Sequence, residues 1–209
     1  RWSCIKEDLN MEYQNFGDAG ESNFDAQKVI SQTSEMNNKE VKNSGKQIPR
    51  IKFGIQGLDE ALNGGIPEGN ITLVTGNAGS GKTTLCMQFL IYGALNNEPG
   101  VYFTLEESAE DIKEQISEFD SRINDLIEKG LIKIVEIPLV DYESFKETLQ
   151  SEMDAISAKR AVIDSITYLQ MFFPDVMSIR KGIIEISQLL KSRRISGLFI
   201  GEIPYGEDK

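Results

Sequence analysis

The 209-residue chain carries 33 Asp and Glu against 22 Lys and Arg, a formal net charge of −11, and has no histidine. That balance argues against nucleic acid as a partner, which needs Lys and Arg to displace counterions, and removes the commonest general base and metal ligand. No run of about eighteen apolar residues offers a membrane span, no signal peptide is legible, and the two cysteines make no disulfide framework, which fits a reducing cytoplasm.

Residues 1–47 are polar, rich in Asn, Gln, Ser, Glu and Lys, and without a sustained period. Such a stretch buries too little apolar surface to offset its ordering entropy, so it is expected to form a flexible extension. Trp2, Tyr13, Phe16 and Phe24 are its candidate docking residues, and Met36 is a candidate natural start. A single domain is expected over residues 48–209. It opens with "GLDEALNGGIPEGN", a short helix stopped by glycines and a turn. "ITLVT" follows as a β-rich strand over 71–75.

The next stretch, "GNAGSGKTTL", matches the spacing G-x-x-x-x-G-K-[ST] through Gly76, Gly81, Lys82 and Thr83. Glycines let a loop curl so that successive N–H groups face a phosphate. Gly76, Asn77, Ala78, Gly79, Ser80, Gly81, Lys82, Thr83 and Thr84 are therefore the candidate nucleotide-binding residues, with Lys82 reaching the β and γ oxygens and the Thr83 hydroxyl placed on Mg²⁺. "TTLCMQFLIYGAL", apolar on nearly all sides, reads as a buried helix whose N-terminal dipole faces the anion. Strand, glycine loop, helix is the order that separates this motif from an ordinary Gly-rich turn. Cys86 within it reads as a small buried hydrophobe.

Further along, "GVYFTL" is a strand, and "SAEDIKEQISEF" a helix with Ser108 as N-cap and Asp111 in a near capping box. "INDLIEKG" is a helix closed by Gly130, "LIKIVEI" a strand, "ESFKETLQSEMDAIS" a helix, and "RAVIDSI" a strand. "SIRKGIIEISQLLKSRR" is an amphipathic helix whose terminal cations complement its dipole, and "GLFIGEI" is the last strand. Alternating strands and helices predict an α/β fold, a mostly parallel sheet with helices on both faces.

Phosphoryl transfer also needs an acid near the metal and a base for the attacking water. Asp164 ends the apolar run "RAVID" at the carboxyl end of a strand, where α/β sheets place their sites. It is the candidate second metal residue, with Ser165 beside it; the ordinary alternative is an Asp capping the next helix. Glu106 and Glu107 end "VYFTL"; adjacent carboxylates repel, which raises a pKa towards that of a base. On their own they would read as two solvated loop acids. With the phosphate loop before them they become the candidate catalytic pair.

"FGIQGLDEALNGGIPEGNITLVTGNAGSGKTTLCMQFL" resembles the opening of the KaiC-like branch of RecA-type P-loop ATPases. "GVYFTLEESAEDI", "EKGLIKIVEI" and "KRAVIDSITYL" resemble later segments of that family in the same order, over about residues 52–206. The resemblance implies a RecA-like core, binding and hydrolysis of ATP with Mg²⁺, and a homo-oligomer, a hexameric ring with sites between subunits. It implies no circadian role. In the family the last strand is followed by more sheet strands, one segment of which brings basic residues to the neighbouring subunit's site. Here "GLFIGEIPYGEDK" ends the sequence, so a C-terminally truncated domain with slow turnover is expected. The family's Ser- or Thr-rich stretch at that strand end is replaced by "IGE", which makes Glu202, with Ser165, a candidate sensor; the plainer reading of Glu202 is a loop-end acid. Two other functions remain open: a nucleotide-binding regulatory or scaffold module with little turnover, and a recombinase-like DNA-dependent ATPase.

Overall fold

The computed structural model describes residues 48–138 and 141–202. The proposed extension over 1–47, Met36 included, lies outside them. In chain order the elements are β1 (Arg50–Ile51), α1 (Gln56–Ala61), β2 (Ile66–Pro67), β3 (Ile71–Gly76), α2 (Lys82–Leu95), β4 (Gly100–Thr104), α3 (Ala109–Phe119), α4 (Arg122–Glu128), β5 (Ile132–Glu136), α5 (Tyr142–Ala155), β6 (Arg160–Asp164), a 3₁₀ turn (Ile166–Met171), α6 (Val176–Ser192) and β7 (Ser196–Glu202). No helix among the described residues is long and apolar enough to cross a membrane.

Five strands form one sheet in the order β3-β7-β6-β4-β5, and every neighbouring pair is parallel. Residues alternate between its two faces, and each face is buried. Tyr102, Val162, Leu198 and Ile200 pack with Cys86, Met87 and Leu90 of α2, Ile112 and Ile116 of α3, and Ile123 of α4. Val101, Phe103, Ala161, Ile163 and Phe199 pack with Phe145 and Leu149 of α5 and with Ile186 and Leu190 of α6. The expected α/β architecture is therefore present. A separate two-stranded antiparallel ribbon, β1 with β2, precedes it.

Element ends shift by one or two residues from the sequence expectation, and two departures have a physical reason. The strand read through Ile166 stops at Asp164, because its partner β4 ends at Thr104, the residue in register with Asp164. The freed chain turns into the 3₁₀ segment. The capping box also forms only half of its reciprocal pair: Ser108 Oγ accepts from Asp111 N at 3.1 Å, but the short Asp111 carboxylate takes the Ser108 hydroxyl at 2.7 Å rather than a backbone N–H.

A buried cation ties the amino-terminal end of the sheet. Arg160 opens β6, is 2% exposed, and donates to Glu98 Oε2 at 2.8 Å and to the carbonyls of Lys52 (2.8 Å) and Phe89 (2.7 Å). Its guanidinium lies 4.4 Å from the Phe89 ring centroid. The α2 backbone passes so close that a Cβ on Gly93 would stand 2.3 Å from Arg160 Nε.

Candidate functional site

Parallel pairing places every strand's carboxyl end on one side of the sheet, and the candidate residues lie there. The loop after β3 enters α2 through Gly81, whose φ of 85° is a left-handed conformation that side chains disfavour. The long helices α3, α5 and α6 start with side-chain caps from Ser108, Asp141 and Asp175. α2 has no side-chain cap bond. Its first N–H groups are thus left for an anion or water. Lys82 Nζ lies over the loop itself, donating to the carbonyls of Gly76 (3.1 Å) and Asn77 (3.0 Å).

β6 and β7 bring the acids. Asp164 shares sheet parity with Val162, so it leaves β6 on the α2 side. There Thr83 Oγ1 stands 3.5 Å from Asp164 Oδ2, and the buried Tyr102 hydroxyl donates to the same oxygen. Asp164 does not cap the 3₁₀ turn; Ser165 holds that position, without a side-chain cap bond. Burial raises the Asp164 pKa, the Tyr102 hydrogen bond opposes that, Glu106 adds to the rise, and Lys82 and Thr83 offset it. A hydroxyl and a carboxylate are the hard oxygen donors Mg²⁺ takes. Among the described residues no group of three or more acidic or Cys side chains forms a closed metal cage.

Glu106 and Glu107 sit in the turn after β4, both exposed. Buried Thr104 organises that turn: its hydroxyl donates to Glu107 O at 2.7 Å and accepts from Glu107 N at 3.1 Å and Glu106 N at 3.4 Å. Leu105 N donates to Asp164 O at 2.8 Å, lacing the turn to β6. Partial burial raises the Glu107 pKa, and the charges of Asp164, Glu106 and Asp111 raise it further. The Glu202 position is opposite Gly76 in the β3–β7 register, and its N–H donates to Thr167 Oγ1 at 3.1 Å. Ser165 is buried, and its hydroxyl has no hydrogen-bond partner among the described residues. The two candidate sensors are thus unlike: one exposed beside the loop strand, the other enclosed.

An apolar hollow of about 580 Å³ flanks the start of α2, lined by Ile55, Gly81, Thr84, Leu85, Gln88 and Phe119. Phe119 is 63% exposed. A hollow of similar size at Ile48, Pro49, Arg50 and Asn63 touches none of the loop residues. Tyr102, Thr104 and, in the first hollow, Ile55, Leu85, Gln88 and Phe119 were missed in the sequence, whereas Gly81 and Thr84 of that hollow belong to the predicted loop. Only the place of Thr104 beside the paired glutamates offered a local signal.

A family model described as the KaiC ATPase matches residues 51–209. The chain is 33% identical over 175 residues to a UPF0273 protein of Pyrococcus horikoshii, covering 76% of this chain and 70% of that one. It is 33% identical over 181 residues to the circadian clock oscillator protein KaiC of a Nostoc species, covering 81% of this chain but 35% of that protein. Among solved structures it is similar to a KaiC-like protein of Pyrococcus horikoshii, with a TM-score of 0.68, 33% identity, and coverage of 78% of this chain and 76% of that one.

Proposed function

Since the chain belongs to the KaiC family of ATPases, with a RecA-type fold, we propose that it binds ATP with Mg²⁺ through the 76–84 loop and hydrolyses it. The observation that carries this reading is the convergence at one end of the sheet: an uncapped helix start with Lys82, a Thr83–Asp164 pair 3.5 Å apart, and two glutamates in the turn that Leu105 N–H ties to the Asp164 carbonyl. In this reading the loop N–H groups and the N-terminus of α2 hold the phosphates. Lys82 leaves the loop carbonyls for the β and γ oxygens. Thr83 and Asp164 hold the ion, directly or through its water. Bound Mg²⁺ supplies charge neutralisation on the phosphates. Glu107, raised in pKa, takes the proton of the attacking water, and Glu106 orients it. The hollow between Ile55 and Phe119 takes the nucleobase, since flat apolar walls beside the phosphate site suit an aromatic ring.

The working form in this reading is a homo-oligomeric ring in the cytoplasm, built on the hexameric plan the family resemblance implies. Phosphate release from ATP, measured with Mg²⁺ and with EDTA alongside mass by light scattering, tests the proposal. Magnesium-dependent turnover supports it. Tight binding without turnover would make the loop a nucleotide sensor instead, and no binding at all rejects the phosphate-loop assignment.

A further inference from the structure

The apolar layer beneath α2 contains one hydroxyl that reaches the site. Tyr102 occupies the middle of β4, in register with Val162 on one side and Ile134 on the other. Its side chain is fully buried and packs within the cluster formed by α2, α3 and the sheet. Its hydroxyl emerges at the carboxyl end of β6 and donates to Asp164 Oδ2. Thr83 Oγ1 approaches the same oxygen from α2. Among the described residues no protein donor meets Asp164 Oδ1. One carboxylate oxygen is therefore anchored from below and from the side, and the other is left to an incoming group.

We propose that Tyr102 is a positioning residue for the magnesium site: its phenol fixes Oδ2 of Asp164 and so presents Oδ1 to the ion and its water. The proposal rests on reading the 76–84 loop as a Mg·ATP site. A hydrogen bond to a carboxylate that holds a metal or its water sets the carboxylate's rotation and basicity, and partners of this kind tune metal affinity strongly. Packing alone does not call for the hydroxyl, since phenylalanine fills the same volume without a polar atom to satisfy. The geometry thus supplies a donor, aimed at one oxygen, from a side chain packed among Val162, Cys86, Met87 and Leu90.

The test is calorimetric titration of the full chain with ADP, in EDTA and at stepped MgCl₂, comparing wild type, Tyr102→Phe and Tyr92→Phe. Tyr92 lies on the same helix as Thr83 but beside Arg160, 5.8 Å from its guanidinium, and serves as the control for a lost phenol. Thermal melts confirm that each variant folds. Tyr102→Phe is expected to raise the Mg²⁺ concentration for half-maximal ADP binding by about 10–100-fold, with ADP affinity in EDTA unchanged and Tyr92→Phe like wild type. An unaltered Mg²⁺ response in Tyr102→Phe overturns the proposal, as does an equal loss of affinity with and without Mg²⁺, which marks packing alone. If wild type binds ADP no better with Mg²⁺, the magnesium reading of the site fails first and takes this proposal with it.

Discussion

Thr83 and Asp164, 81 residues apart in the chain, meet at 3.5 Å through Thr83 Oγ1 and Asp164 Oδ2. The meeting follows from sheet parity: Asp164 leaves β6 on the face that α2 covers. Substituting Thr83→Ala or Asp164→Asn is expected to leave ADP binding in EDTA near wild type and to remove most of the gain that Mg²⁺ brings. Titration at fixed ADP and rising Mg²⁺ measures this. A variant whose affinity keeps the full magnesium dependence would show that its residue does not hold the ion.

Lys82→Ala is expected to weaken ATP binding by about 10–100-fold, the worth of one or two hydrogen bonds to a charged group. Because Lys82 Nζ bonds, among the described residues, only to loop carbonyls of Gly76 and Asn77, the substitution is also expected to change the melting temperature little. Equilibrium binding and a melt on the same sample separate the two effects.

Glu107→Gln is expected to spare nucleotide binding and to slow hydrolysis by about 10²–10⁴-fold, the usual contribution of a general base. Its pKa is raised by burial and by Asp164, Glu106 and Asp111, so the acid limb of the wild-type rate profile is expected above the ordinary glutamate value. The same rise fixes the sign of a stability effect. The ionised form is the costly one, so the cost is absent below the ordinary glutamate range and fully felt above the raised pKa. Without ligand, Glu107→Gln should melt higher than wild type near pH 7, and the gain should vanish as the pH falls through the carboxylate range. Melts across pH, with single-turnover kinetics, check both.

Arg160→Ala is expected to destabilise the fold by about 3 kcal/mol, since it strands Glu98, the part-buried carbonyl of Lys52 and the buried carbonyl of Phe89. For a domain of this size that is a fall of about 6–12 °C in melting temperature. Arg160→Lys should recover little of it, because an ammonium cannot span three acceptors in one plane. Nucleotide affinity of the folded fraction should stay unchanged. Scanning calorimetry and a titration below the transition give the two readings.

What was legible in the sequence was local. The 76–84 loop is one continuous motif, and its flanking strand and helix are long enough to show their character. Asp164 was legible because an apolar run leads straight to it. Tyr102 was not: a strand buried on both faces reads as a uniform apolar run, so nothing in "GVYFTL" says which residue faces α2. That depends on register with β6, which only the assembled sheet supplies. Arg160 was hidden for a related reason, because its partners Lys52, Phe89 and Glu98 come from separate segments. The ribbon of Arg50–Ile51 with Ile66–Pro67 is too short for any alternation to show.

β6 begins at Arg160 and ends at Asp164, and a strand of that length spans about 13 Å. Changes at sites separated by more than roughly 7–10 Å, with no shared partner, combine additively. The same five residues therefore carry two independently adjustable dials. Robustness can be altered at the guanidinium end, through the groups that pack on Arg160, without retuning the carboxylate end. A chain made sturdier there becomes a neutral background on which weak or damaging substitutions of Asp164, Glu106 or Glu107 can be compared at one temperature.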